Sequence, residues 1–91
     1  MLVTLEETKQ YLRVDSADED NYILSLITMA ENMCTDIARS DISIMEEHKE
    51  LVKNAVLYAS AYMYEHREQA DHKELTNTLK YLLFQIRREV F

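Results

Sequence analysis

The sequence predicts an all-α fold, a small bundle of about four helices packed around one long central helix. Three observations point there. Glycine and proline are both absent from the 91 residues, where average usage would supply about 11. Tight hairpin turns therefore lose their preferred residue, and helices lose their strongest interior breakers. The stretch Leu51 to Glu68 repeats apolar residues at helical spacing: Leu51, Val52, Ala55, Val56, Ala59, Tyr62 and Met63 share one face. Finally, small residues at Ala55, Ala59, Ser60 and Ala61 let neighbouring helices approach this one closely, which marks it as the centre of the bundle.

Each remaining element follows in order. The first helix starts at Thr4, because Thr4 and Glu7 have the reciprocal spacing of a capping box. Its stripe is Leu5, Thr8, Tyr11 and Leu12, too short to be stable without packing. Ser16 and Glu19 repeat the same spacing, and Asp18, Glu19 and Asp20 load the following turn with negative charge where the helix dipole is positive. This acidic run reads as a capped helix start on a solvated surface. It lacks the glycine and the terminal glutamate of a calcium loop. The second helix runs from about Ala17 to Arg39 and buries Ile23, Leu26, Ile27, Ala30, Met33, Cys34 and Ile37. Glu31, Asp36 and Arg39 fall on its wetter side. A connector follows in which Ile42–Ile44 alternates briefly, as an extended segment would. Ser43 and Glu46 cap the central helix, which starts near Ile44 or Met45 and continues to about Gln69. Asp71 and Glu74 cap the last helix, whose stripe is Leu75, Leu79, Leu82, Leu83, Ile86 and Val90. Tyr81, Phe84 and Phe91 lie beyond that stripe, so this helix is greasier than one core face requires and offers a side to another molecule.

Length and charge bound the function. A 91-residue chain is expected to be one helical domain, residues 1–91, with a small core. The net charge of −7 opposes binding to nucleic-acid phosphates and to anionic membranes. A single cysteine, Cys34, excludes an intrachain disulfide and suits a reducing compartment. No apolar run reaches the length of a membrane span, and no signal peptide is visible. The chain reads as soluble and intracellular.

Candidate chemistry is sparse. Without glycine there is no phosphate loop, dinucleotide fingerprint or nucleophile elbow. Glu65, His66, Glu68, Asp71 and His72 form the best catalytic or metal candidate, with Glu68 and His72 one helical turn apart. The ligand patterns of zinc and di-iron sites are missing, and the cluster reads as a polar helix end. His48 sits in an equally polar run. Cys34 reads as a buried structural thiol. No enzyme and no cofactor are expected. Six tyrosines stand out instead, since tyrosine is enriched at protein interfaces. Tyr58 and Tyr62 share a face of the central helix, and Tyr64 points elsewhere. The candidate interface residues are Tyr58, Tyr62, Tyr64, Tyr81, Phe84 and Phe91.

Two stretches carry a family resemblance, and a third is similar to a subset of that family. One is Leu5-Glu6-Glu7 through Tyr11-Leu12-Arg13-Val14-Asp15, followed by Asp18-Glu19-Asp20 and the Ile23 to Ala30 helix. The second is Ala55 to Glu68, ending Tyr62-Met63-Tyr64-Glu65-His66-Arg67-Glu68. The third is Leu79-Lys80-Tyr81-Leu82-Leu83-Phe84 through Arg87-Arg88-Glu89-Val90-Phe91. In order and spacing they resemble the small head–tail connector (adaptor) proteins of long-tailed bacteriophages, often labelled DNA-packaging proteins. The chain departs from that family in having no glycine or proline in its connectors, and in placing His66 where a small polar residue is common.

The resemblance implies a compact helical subunit without catalytic residues. It implies a ring of about a dozen copies beneath the portal protein; by symmetry, such a ring needs two different side faces meeting in heterologous contacts. Such a ring extends the DNA channel, offers a surface to later neck and tail-completion proteins, and lets DNA pass without sequence-specific binding. It would reside in the virion neck, and in the host cytoplasm during assembly. An alternative class, read from charge and size alone, is a small acidic helical regulatory or protein-binding module of antitoxin-like character.

Overall fold

The computed structural model describes residues 3–38, 47–68 and 72–84. They form four helices: α1 (Leu5–Leu12), α2 (Asp20–Ala38), α3 (Lys49–Glu65) and α4 (Lys73–Leu82). No strand occurs among the described residues, as the lack of glycine and proline predicts. The expected extended segment at 42–44 and the Ser43–Glu46 cap lie outside the described residues, as do Arg39, Asp71, Ile86, Val90 and Phe91.

The start of α1 follows the predicted cap. Thr4 Oγ1 accepts from the Glu7 amide at 3.1 Å, and Glu7 Oε1 accepts from the Thr4 amide at 2.9 Å. The helix then ends without a glycine. Arg13 adopts the left-handed conformation, φ 62° and ψ 43°. The Arg13 amide donates to Gln10 at 3.2 Å and the Val14 amide to Lys9 at 3.0 Å, which is the Schellman pattern. Within the helix, Thr8 is fully buried, and its hydroxyl donates to the Thr4 carbonyl at 3.0 Å. Tyr11, expected in the apolar stripe, is instead 51% exposed.

The start of α2 differs from expectation. Ser16 Oγ accepts from the Asp18 amide at 3.4 Å in a local turn, and the helix begins at Asp20 rather than near Ala17. Glu19 does not return to Ser16. Its carbonyl accepts the first helical bond, from the Ile23 amide at 2.8 Å, while its carboxylate reaches across to α3. Of the three acids, only Asp20 sits in the first turn, where it pairs with Lys9 at 2.7 Å. The acidic run is therefore a pairing site more than a solvated surface.

The core is one cluster. It joins Val3, Ile23, Leu26, Ile27, Ala30, Cys34 and Ala38 to Val52, Ala55, Val56, Ala59 and Met63, and these to Leu75, Leu79 and Leu83. The most extensive pairing is α2 with α3, and α1 and α4 each pack against both. Ala30, Ala55 and Ala59, all fully buried, bring backbones close at this crossing. Thus the predicted central helix is central, but it shares that role with α2, the longer of the two at 19 residues against 17. The third helix also stops earlier than Gln69. His66 leaves helical geometry at φ −118° and ψ 39°, and residues 66–68 form a turn. The fourth begins at Lys73 with His72 at the N-cap, making no side-chain cap bond, and ends at Leu82. Buried Leu75 and Leu79 within it and Leu83 at its C-cap each contribute about 1.5–3 kcal/mol relative to exposure. That burial holds a 10-residue helix too short to persist by propensity.

Candidate functional site

Three features at the surface are built by these helices. The first joins the start of α2 to the end of α3. The Tyr64 hydroxyl donates to Glu19 Oε1, and Arg67 Nη1 meets Glu19 Oε2 at 2.8 Å. The Arg67 guanidinium lies 4.5 Å from the Tyr64 ring centre and 5.0 Å from that of Tyr22. Its Nε donates to the Tyr64 carbonyl at 3.3 Å. One cation is thus held by two aromatic faces and a carboxylate. The Tyr64 hydroxyl, then the Arg67 guanidinium, hold the Glu19 carboxyl below its ordinary value of 4.5. Glu19 in turn pushes the Tyr64 phenol up from 10.0. This clasp explains why Tyr64 points away from Tyr58 and Tyr62, and why Glu19 leaves Ser16. The clasp is not legible in the sequence because Glu19 and Arg67 are 48 positions apart, and the local spacing of Ser16 and Glu19 offers a capping box instead.

The second feature is a row of rings along α3. Tyr58 and Tyr62 lie 6.4 Å apart, and His66 stacks on Tyr62 at 4.2 Å and 18°. His66 Nδ1 is 2.9 Å from the Tyr62 carbonyl, so Nδ1 carries the proton and donates. His72 approaches the same Tyr62 edge-on at 6.2 Å. Tyr11 of α1 faces this row across a surface cavity of about 320 Å³, with Ala61 and Glu65 completing the lining. Tyr11, Glu65 and His66 were not connected by sequence reading, since Tyr11 read as core and the other two as a polar helix end.

The third is the exposed side of α4 and the turn after it. Tyr81 is 82% exposed and Phe84 71%. Both were singled out as surplus apolar area, and both stand in solvent. Tyr58, Tyr62 and Tyr64 are half-buried and pack against the core cluster. Phe91 lies outside the described residues.

Of the catalytic and metal candidates, Glu65, His66 and Glu68 line one surface cavity of about 430 Å³ together with Arg67, and His72 reaches the Tyr62 ring on which His66 stacks. With α3 ending at Glu65, Glu68 and His72 share no helical face, and Asp71 lies outside the described residues. No three His, Cys, Asp or Glu side chains among the described residues are placed to hold a metal ion. His48 is exposed at the α3 N-cap position and makes no side-chain cap bond there. Cys34 is fully buried, and burial, with the Glu31 charge adding, pushes its thiol up to about 12; it is a packed thiol, not an activated one. No described helix is long and apolar enough to cross a membrane.

Comparison with known proteins follows the same direction as the fold. No curated protein and no solved structure matches the chain. A family model does, that of the phage gp6-like head-tail connector protein, and it matches residues 2–90. That span takes in all four helices, the clasp, the row of rings and the exposed end of α4. The chain belongs to the phage gp6-like head-tail connector protein family.

Proposed function

We propose that this chain is a structural subunit of a connector ring that sits under the portal, extends the DNA channel and joins capsid to tail, without catalysis. The observation that carries the reading is the family match across residues 2–90. The surface supports it. A ring subunit needs two different side faces, each fitting the other's partner. Tyr81 on α4 and Phe84 in the turn after it supply one apolar face. Tyr58 and Tyr62 on α3 supply the other, and Tyr64 braces it from within the clasp. The partners are further copies of the chain, the portal protein, and neck or tail-completion proteins. The site of action is the virion neck, reached by assembly in the host cytoplasm.

The net charge of −7 fits a lumen through which DNA slides, because like charge removes the phosphate-binding term. Native mass spectrometry of the purified chain, alone and mixed with portal protein, tests the reading. A ring, or a complex with portal, is the expected species. A monomer that binds no portal at micromolar concentration overturns it. Replacing Tyr81 and Phe84 together by Ser is expected to abolish assembly while leaving the helical circular dichroism unchanged.

A further inference from the structure

The cavity between α1 and α3 has an unusual lining. Tyr11, Tyr58 and Tyr62 supply three phenol rings, Ala61 leaves room between them, and Glu65 and His66 stand at the end of the row. No lysine or arginine among the described residues lines it, and no ion pair among them engages Glu65. The electron-rich faces of tyrosine attract cations, and a carboxylate beside them adds a full countercharge. The molecule already contains such an arrangement in filled form. In the clasp, two tyrosine faces and one glutamate hold Arg67, with the guanidinium 4.5 and 5.0 Å from the ring centres and 2.8 Å from the carboxylate. The cavity assembles the same components and takes no cation from its own walls.

We infer that the Tyr11–Tyr58–Tyr62–Glu65 cavity is a docking site for an arginine side chain on a partner protein. Its volume of about 320 Å³ admits a guanidinium and part of its stem. Arginine fits better than lysine, because a planar, weakly hydrated guanidinium stacks on rings and forks onto a carboxylate, whereas an ammonium stays strongly hydrated. His66 is already stacked on Tyr62, so one face of that ring is taken and Tyr11, the exposed member of the three tyrosines, is the ring most open to a guanidinium. Charge complementarity selects the partner: a basic segment meets a chain of net charge −7. The cavity shares Tyr58 and Tyr62 with the side face proposed above, so the arginine belongs to the partner that meets that face; the cavity lies within one copy, and a test on the isolated chain can fail while the ring reading stands.

The test is an NMR titration of the full chain with the tripeptide Ac-Ala-Arg-Ala-NH2. Its counterpart carries citrulline, which keeps the shape and removes the charge. The expected result is movement of the Tyr11, Tyr58 and Tyr62 ring signals and the Ala61 methyl with the arginyl peptide, and little with citrulline. Tyr11→Ala and Glu65→Gln, both at exposed positions, are each expected to weaken binding about two- to fivefold. Glu74→Gln, which removes the same charge from an exposed site on α4, is expected to leave it unchanged. Equal shifts with citrulline, shifts spread over the acidic surface away from the cavity, or equal weakening by Glu74→Gln would each overturn the inference. So would Tyr11→Ala and Glu65→Gln variants that bind as the parent does.

Discussion

Arg13 shows what a chain without glycine does at a helix end. The Schellman position following α1 demands positive φ, and Arg13 adopts φ 62°. A side chain with a Cβ is strained there, whereas glycine is not. Arg13→Gly is therefore expected to stabilise the protein by about 1 kcal/mol, read as a higher urea midpoint at constant slope. Ser60 is a second residue at odds with its place: it is fully buried, and no partner for its hydroxyl is found among the described residues. Its size explains its presence on a face lined by Ala55, Ala59 and Ala61, where α3 meets its neighbours. At this scale the Thr4–Glu7 cap was legible because both partners are local, and the buried Cys34 because its neighbours in the stripe are apolar. The exposure of Tyr11 was not legible. Helical spacing places it on the same side as Thr8 and Leu12, and its 51% exposure beside a fully buried Thr8 is seen only in the structure.

Between elements, side chains at the ends of helices fasten the bundle. Lys9 with Asp20 ties α1 to α2, Lys53 with Glu7 ties α3 to α1, and Glu19 with Tyr64 and Arg67 ties α2 to α3. Each has one member near a helix start, which is why capping signals in the sequence pointed at the right acids while naming the wrong partners for Glu19. The Glu19 carboxyl is held below 4.5 in the folded protein by Tyr64 first and Arg67 second. A depressed folded value means that its stabilisation is present above 4.5 and is lost as pH falls through the folded value. Glu7, lowered chiefly by Lys53, behaves alike. Glu19→Gln is expected to lower the melting temperature at pH 7 and to flatten its decline below pH 4.5. The Glu7–Lys53 pair still contributes acid dependence of the same sign. Melting curves between pH 3 and 7 check this; an acid limb as steep as the parent's would show that the clasp carries no net linkage. Helix ends were less legible than helix interiors for a related reason. The end of α3 is set by His66 folding back onto Tyr62, a contact that no propensity encodes.

For the molecule as a whole, the periodic stripes of α2, α3 and α4 were enough to place the core, because burial in a bundle follows helical spacing closely. What remained hidden was everything joined across long separations in sequence. Cys34 offers a direct readout of whole-molecule stability. It is fully buried in the α2 stripe, with its thiol pushed up to about 12. Alkylation by iodoacetamide at pH 8 is expected to be slow and to accelerate with urea in step with global unfolding measured by circular dichroism. A fast, urea-independent reaction would show that α2 opens locally. The molecule measures 46 × 27 × 16 Å, a slab about two helices thick, so much of each helix lies close to a surface. In terms of chain topology, the clasp has a further effect. The contact between Glu19 and Arg67 closes a loop over a separation of 48 positions, and that loop contains α2 and α3 whole while α1 and α4 hang outside it. Opening either outer helix would break its packing on α2 and α3 and, for α1, the Lys9–Asp20 and Glu7–Lys53 pairs, but it would leave that loop closed. Opening is therefore expected to be graded from the loop outward, with the helices carrying Tyr11 at one flank and Tyr81 at the other the first to yield.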